Sequence, residues 1–154
     1  FGYYGGKKNG NELWRLYFPQ KRTFRFLSNW DKNIIQGAKQ WPQQGNLLVI
    51  TKSLKDGMCL YELNISAIAP CSEVLFISND QLNKLKKRFK HIILFYDTDL
   101  TGISFMRKIK KQHPNLNFFF IPRKFKVKDL TDFVKKYGLI KTKEYVEQIK
   151  KRFE

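Results

Sequence analysis

Four short apolar runs recur along this sequence, at residues 47–51, 65–69, 91–96 and 117–121, with helical patterns between them. The run His91-Ile92-Ile93-Leu94-Phe95-Tyr96 is too short for a helix and is bounded by polar residues, so it reads as a strand buried on both faces. Segments 53–63, 80–89 and 102–111 read as helices, with Leu54, Met58 and Tyr61 marking an apolar face on the first. Segments 129–136 and 143–153 read as closing helices. Alternation of this kind predicts an α/β fold with a parallel sheet and right-handed crossovers. Such a sheet gathers the carboxyl ends of its strands on one edge, where open α/β sheets hold their ligands.

The residues just past those ends are Thr51-Lys52-Ser53, Pro70-Cys71-Ser72-Glu73, Asp97-Thr98-Asp99 and Pro122-Arg123-Lys124. Acidic, basic and hydroxyl groups from four separate parts of the chain thus collect at one edge. In extended backbone, residues i and i+2 point the same way, so Asp97 and Asp99 project together past the third strand. Two convergent carboxylates suit a hard divalent cation, Mg²⁺ or Mn²⁺, carrying phosphates. The same letters also fit a plain strand-to-helix turn with Asp99 as N-cap. Asp56 and Asp132 fit first-turn compensation of a helix dipole as well as a site, and Asp129 fits an N-cap as well as a ligand.

Charge narrows the partners. The chain carries 30 Lys and Arg against 13 Asp and Glu, a net +17 over 154 residues. The excess runs throughout, with clusters at Lys84-Leu85-Lys86-Lys87-Arg88, Arg107-Lys108-Ile109-Lys110-Lys111 and Arg123-Lys124-Phe125-Lys126-Val127-Lys128. A field of this size favours a polyanion, nucleic acid ahead of an anionic membrane, because no segment carries the Trp/Leu face that interfacial binding needs. No run is long and apolar enough for a transmembrane helix. Cys59 and Cys71 match neither a disulfide framework nor a zinc pattern, and read as packing residues in a reducing, cytoplasmic compartment.

Residues 1–46 differ from the rest. Leu13-Trp14-Arg15-Leu16-Tyr17-Phe18 and Thr23-Phe24-Arg25-Phe26-Leu27 are aromatic-rich runs that predict an antiparallel hairpin. Gly5-Gly6-Lys7-Lys8-Asn9-Gly10 reads as a turn, and Trp41-Pro42-Gln43-Gln44-Gly45-Asn46 as a connector. Trp14, Tyr17, Phe24 and Phe26 are candidates for stacking on single-stranded bases, although strand alternation predicts one set to be core. Opening at Phe1 inside strand-like sequence, the chain reads as a piece of a longer protein.

The segments in order resemble the Toprim domain shared by bacterial-type DNA primases, type I and II topoisomerases and related nucleases. The family's strand followed by Glu-Gly-x-x-Asp is matched by Ile50-Thr51-Lys52-Ser53-Leu54-Lys55-Asp56. Its Asp-x-Asp with a nearby glycine is matched by Asp97, Asp99 and Gly102. Lys128-Asp129-Leu130-Thr131-Asp132-Phe133 is similar to the Lys-Asp-x-x-Asp of the primase branch. The resemblance covers about residues 47–138. Ile35-x-Gly37 after Arg25-Phe26-Leu27-Ser28-Asn29 resembles the primase segment that joins the basic polymerase subdomain to Toprim, and Gly2-Tyr3-Tyr4-Gly5-Gly6 the strand before it.

This resemblance implies a partial basic β subdomain over 1–46 and a Toprim domain with closing helices over 47–154. It implies metal-dependent, template-directed synthesis of RNA primers on single-stranded DNA from ribonucleoside triphosphates, in a bacterial cell or a phage-infected host, with a replicative helicase as a further partner. Asp97, Asp99, Asp56, Asp129 and Asp132 would form the metal shell. Lys52, Ser53, Lys55, Arg123, Lys124, Lys126 and Lys128 would meet phosphates or nucleic acid. One departure stands out: Lys52 replaces the family's glutamate, and Ser53 its glycine. Either Lys52 holds a substrate phosphate with Glu73 supplying the missing carboxylate, or the branch uses fewer metals, or the domain only binds nucleic acid. A Toprim nuclease is the rival enzyme class.

Overall fold

The computed structural model describes residues 2–40, 42–72 and 75–153. Glu73, the candidate replacement carboxylate, and Trp41 of the connector lie outside the described residues. Two sheets form. Strands β1 (Gly2–Lys8), β2 (Asn11–Tyr17) and β3 (Phe26–Ser28) make an antiparallel sheet in that order. The second sheet combines β4 (Ile35–Gln36), β5 (Gly45–Thr51), β6 (Ala67–Pro70), β7 (Phe89–Phe95) and β8 (Asn117–Phe119) in the order β4-β6-β5-β7-β8. The last four strands of the chain are mutually parallel, as their apolar runs predict, and β4 pairs antiparallel at the edge.

Helices α1 (Leu54–Glu62), α2 (Asn79–Lys86), α3 (Leu100–Gln112) and α4 (Leu130–Lys150) cover both faces of this sheet. Side-chain alternation along the strands decides which helix packs where. Leu48, Ile50, Ile92 and Leu94 share one core with Leu82 and Leu85 of α2 and Met106 and Ile109 of α3. Val49, Ile93 and Phe95 point the other way, into a core with Leu60 of α1 and Phe133, Val146 and Ile149 of α4. Both faces of β5 and β7 are therefore apolar, which is why these strands carry no polar alternation. The chain leaves β5 for β6 on one side and then crosses to β7 on the other. The crevice between the carboxyl ends of β5 and β7 is consequently the switch point of the sheet, the favoured ligand position in such folds.

Several expectations shift. Residues 5–8, read as part of a turn, continue β1, and only Asn9-Gly10 turns; the register slips between Tyr4 and Gly6, where Gly5 is the extra residue of the irregularity. The second helix stops at Lys86, because Phe89 is drawn into β7 opposite Gly45. The two closing helices run as one element, α4, broken at Gly138, whose φ of 79° suits a residue without a Cβ.

Candidate active-site cleft

A cleft of about 320 Å³ lies between the antiparallel sheet and the carboxyl edge of the parallel one. One wall is a single face of the β1-β2-β3 sheet. Tyr3 lies opposite Arg15 in the pairing, and Tyr17 opposite Phe26, so these four side chains share a face. All four line the cleft, with Arg25 beside them. Tyr17 and Phe26 stack with ring centroids 4.8 Å apart, and the Arg15 guanidinium sits 4.2 Å above the Phe26 ring. Arg15 also donates to the Cys71 carbonyl beyond β6, tying the two sheets together. Trp14 belongs to the opposite, outer face with Tyr4 and Leu27, and Phe24 stands 90% exposed in the loop before β3. None of the four candidate stacking aromatics is core, contrary to the expectation that one set would be.

The other wall is built from the ends of β5 and β7 and the starts of α1 and α4. Lys52, Ser53, Lys55, Asp56, Asp97, Lys128 and Asp129 all line it. Ser53 caps α1 and donates its hydroxyl to Asp56 Oδ2 at 2.8 Å. Asp56 Oδ1 accepts from the Thr131 hydroxyl at 2.9 Å and its backbone N–H at 3.3 Å, which locks α1 to the start of α4. Asp129 caps α4, accepting from the Asp132 N–H at 2.7 Å. Lys52 Nζ is 2.7 Å from Asp97 Oδ2. Burial pushes the Asp97 carboxyl above its ordinary pKa; the Lys52 ammonium opposes that push, and the charges of Asp129 and Asp56 add to it. Burial likewise raises Asp56, against the Ser53 hydrogen bond and helped by Asp129. The three acids therefore feel one another across the cleft floor.

Other candidates stand elsewhere. Asp99 is exposed and caps α3 through Oδ1 to the Gly102 N–H at 2.7 Å, so the capping alternative describes its contact. Arg123 lines a separate, mostly apolar pocket of about 530 Å³ with Arg107 and Lys110. Lys124 and Lys126 are exposed around a 3₁₀ turn at Arg123–Phe125. Asp132 sits in the first turn of α4. Cys59 and Cys71 are free thiols raised in pKa by burial, in keeping with packing roles. Arg15, Tyr3, Gln36 and Thr131 were missed as cleft or supporting residues. A signal existed for Arg15, a lone charge inside an aromatic strand, spaced i, i+2 from Tyr17.

Mg²⁺ or Mn²⁺ can be tested against these contacts. Among the described residues no group of three or more His, Cys, Asp or Glu is arranged to hold a metal ion. Asp97 is engaged by an ammonium, Asp56 by two hydroxyls and an N–H, and Asp129 by a helix N-terminus. In this arrangement the described carboxylates of the cleft do not fit a resident divalent ion.

The backbone matches solved structures across almost its whole length. A DnaG primase catalytic domain bound to single-stranded DNA superposes with a TM-score of 0.68 at 18% identity, over 94% of this chain and 52% of that one. The chain has the fold of about half of a primase catalytic core. The Escherichia coli primase catalytic core gives 0.66 at 19% identity, covering 94% of this chain and 51% of that chain. The primase fragment of the bacteriophage T7 primase-helicase protein gives 0.67 at 16%, over 96% and 62%. The chain thus spans about half the length of the first two primase chains. No protein-family model matches the sequence, and no curated protein matches it. No described helix is long and apolar enough to cross a membrane.

Proposed function

We propose that this chain is part of a primase-type nucleotidyltransferase core, with residues 1–46 and 47–154 as its two structural parts, and that single-stranded DNA and ribonucleoside triphosphates meet in the cleft between the sheets. The observation that carries the reading is the pairing of walls. A basic, aromatic sheet face with Arg15, Arg25, Tyr17 and Phe26 looks onto an edge of carboxylates and lysines at the switch point of an α/β sheet. Arginine forks suit phosphate oxygens, stacked aromatics accept bases without sequence preference, and lysines add point charge. Lys52, Lys55 and Lys128 orient phosphates, with Ser53 beside them, while Arg123, Lys124 and Lys126 extend the basic surface along the neighbouring edge. Mg²⁺ or Mn²⁺ enters as the companion of the nucleotide phosphates, since Mg²⁺ is commonly held by one or two carboxylates plus substrate oxygens. Asp97, Asp56 and Asp129 line the cleft where such an ion would arrive with the phosphates, Asp97 being open to it only as Lys52 gives way, while Asp99 and Asp132 are not among the lining residues.

The test is titration of a labelled single-stranded oligonucleotide at several salt concentrations. Log affinity should fall with log salt by about 0.7 per phosphate contacted, and Arg15→Gln with Lys128→Gln should lower that slope. Binding insensitive to salt, or unchanged by both substitutions, refutes the cleft as the binding surface. The Lys52–Asp97 ion pair favours a second reading, a nucleic-acid-binding module without chemistry. Supplying template and nucleotides separates the two, because the module binds without extending primers. Degradation of DNA with Mg²⁺ and no nucleotides would point to the nuclease class instead.

A further inference from the structure

The contact between Lys52 and Asp97 bears on what the cleft holds before any substrate arrives. The pair is largely shielded, with 22% and 6% of the two side chains exposed, and its Nζ–Oδ2 distance is 2.7 Å. Asp56 and Asp129 line the same cleft, and their oxygens accept from neutral donors, namely Ser53, Thr131 and the Asp132 N–H. An ammonium is a compact point charge with three donors and no acceptor, so it can neutralise a carboxylate but cannot ligate a metal. A divalent ion at Asp97 would stand within a few ångströms of that ammonium, in a site where water screens poorly.

We infer that Lys52 is the resident counter-cation of this edge, occupying the position a divalent ion would otherwise take, so that the free protein holds no Mg²⁺ or Mn²⁺ at Asp97 and phosphate recognition there begins with the lysine. The inference rests on the reading of the cleft as a phosphate-binding site and deepens it. Lysine and metal are alternatives at one carboxylate.

Mn²⁺ binding to the 154-residue chain, followed by the electron paramagnetic resonance signal of the free ion, tests this. Wild type and Lys52→Arg should show only weak binding, roughly millimolar. Lys52→Met should gain a site at least about tenfold tighter, since the competing charge is gone. Lys52→Met combined with Asp97→Asn should lose it again. Wild type binding Mn²⁺ as tightly as Lys52→Met overturns the inference, and so does a folded Lys52→Met or Lys52→Gln chain that gains no site. Oligonucleotide titration of the wild type, run beside it, tests the cleft reading by itself, so failure of one is distinguishable from failure of the other.

Discussion

Gly102→Ala sets two principles against each other, and the structure decides between them. Gly102 lies in the first turn of α3, where the usual expectation is that alanine stabilises a helix by about 0.5–1 kcal/mol relative to glycine. A Cβ at this position would stand 2.3 Å from the Asp97 carbonyl oxygen, 3.1 Å from its carbonyl carbon and 3.3 Å from its Cβ. The obstacle is backbone, so no flexible side chain can swing aside. Either α3 or the Asp97 loop must move by about an ångström, and overpacking of this kind costs about 1–3 kcal/mol. Taking the middle of that range, about 2 kcal/mol, and subtracting the propensity gain leaves a net loss of about 1–1.5 kcal/mol. Urea unfolding should show a lower midpoint at unchanged slope, about 0.5–0.75 M lower for a slope of roughly 2 kcal/mol/M. The displaced loop carries Asp97, so oligonucleotide affinity should fall as well. A midpoint equal to or above that of wild type refutes the reasoning, since it would mean that the close approach of α3 to the strand end is not made.

Three further outcomes are expected. In a double-mutant cycle of Lys52→Met and Asp97→Asn, urea unfolding should give a coupling energy of about 1–3 kcal/mol, and a value within about 0.5 kcal/mol of zero would mean the ion pair is not formed. Asp56 has its carboxyl raised by burial, so the native state keeps a proton that the unfolded chain releases; the contribution of this group to stability is fullest below the ordinary carboxyl range near pH 4 and declines as pH rises through the raised value. Asp56→Asn should flatten that decline, and an identical pH profile for both proteins would contradict the burial argument. Phe133→Ala, which empties a fully buried site under α4, should cost about 3–5 kcal/mol, and a loss below about 1 kcal/mol in thermal or urea unfolding would be incompatible with that packing.

The four parallel strands were legible in the sequence because burial on both faces leaves uninterrupted apolar runs, and that is a local property of residues such as Leu48, Val49, Ile92 and Ile93. Helix starts were legible for a similar reason: Ser53, Asp99 and Asp129 satisfy orphan N–H groups three residues on, a contact fixed by the helix itself. Tertiary structure decided the rest. β4 joins the large sheet only because Ile35 finds Pro70 across 35 residues, and Phe89 leaves a helical pattern only because Gly45 offers it a strand partner. The cleft needs Arg15 and Phe26 from one sheet to face Lys52 and Asp97 from another, and no local periodicity encodes that meeting. The sharpest case is the lysine itself. The sequence identified Lys52 as the wrong residue for a metal edge, but only the fold, by bringing residues 45 positions apart to 2.7 Å, determined that its ammonium pairs with Asp97.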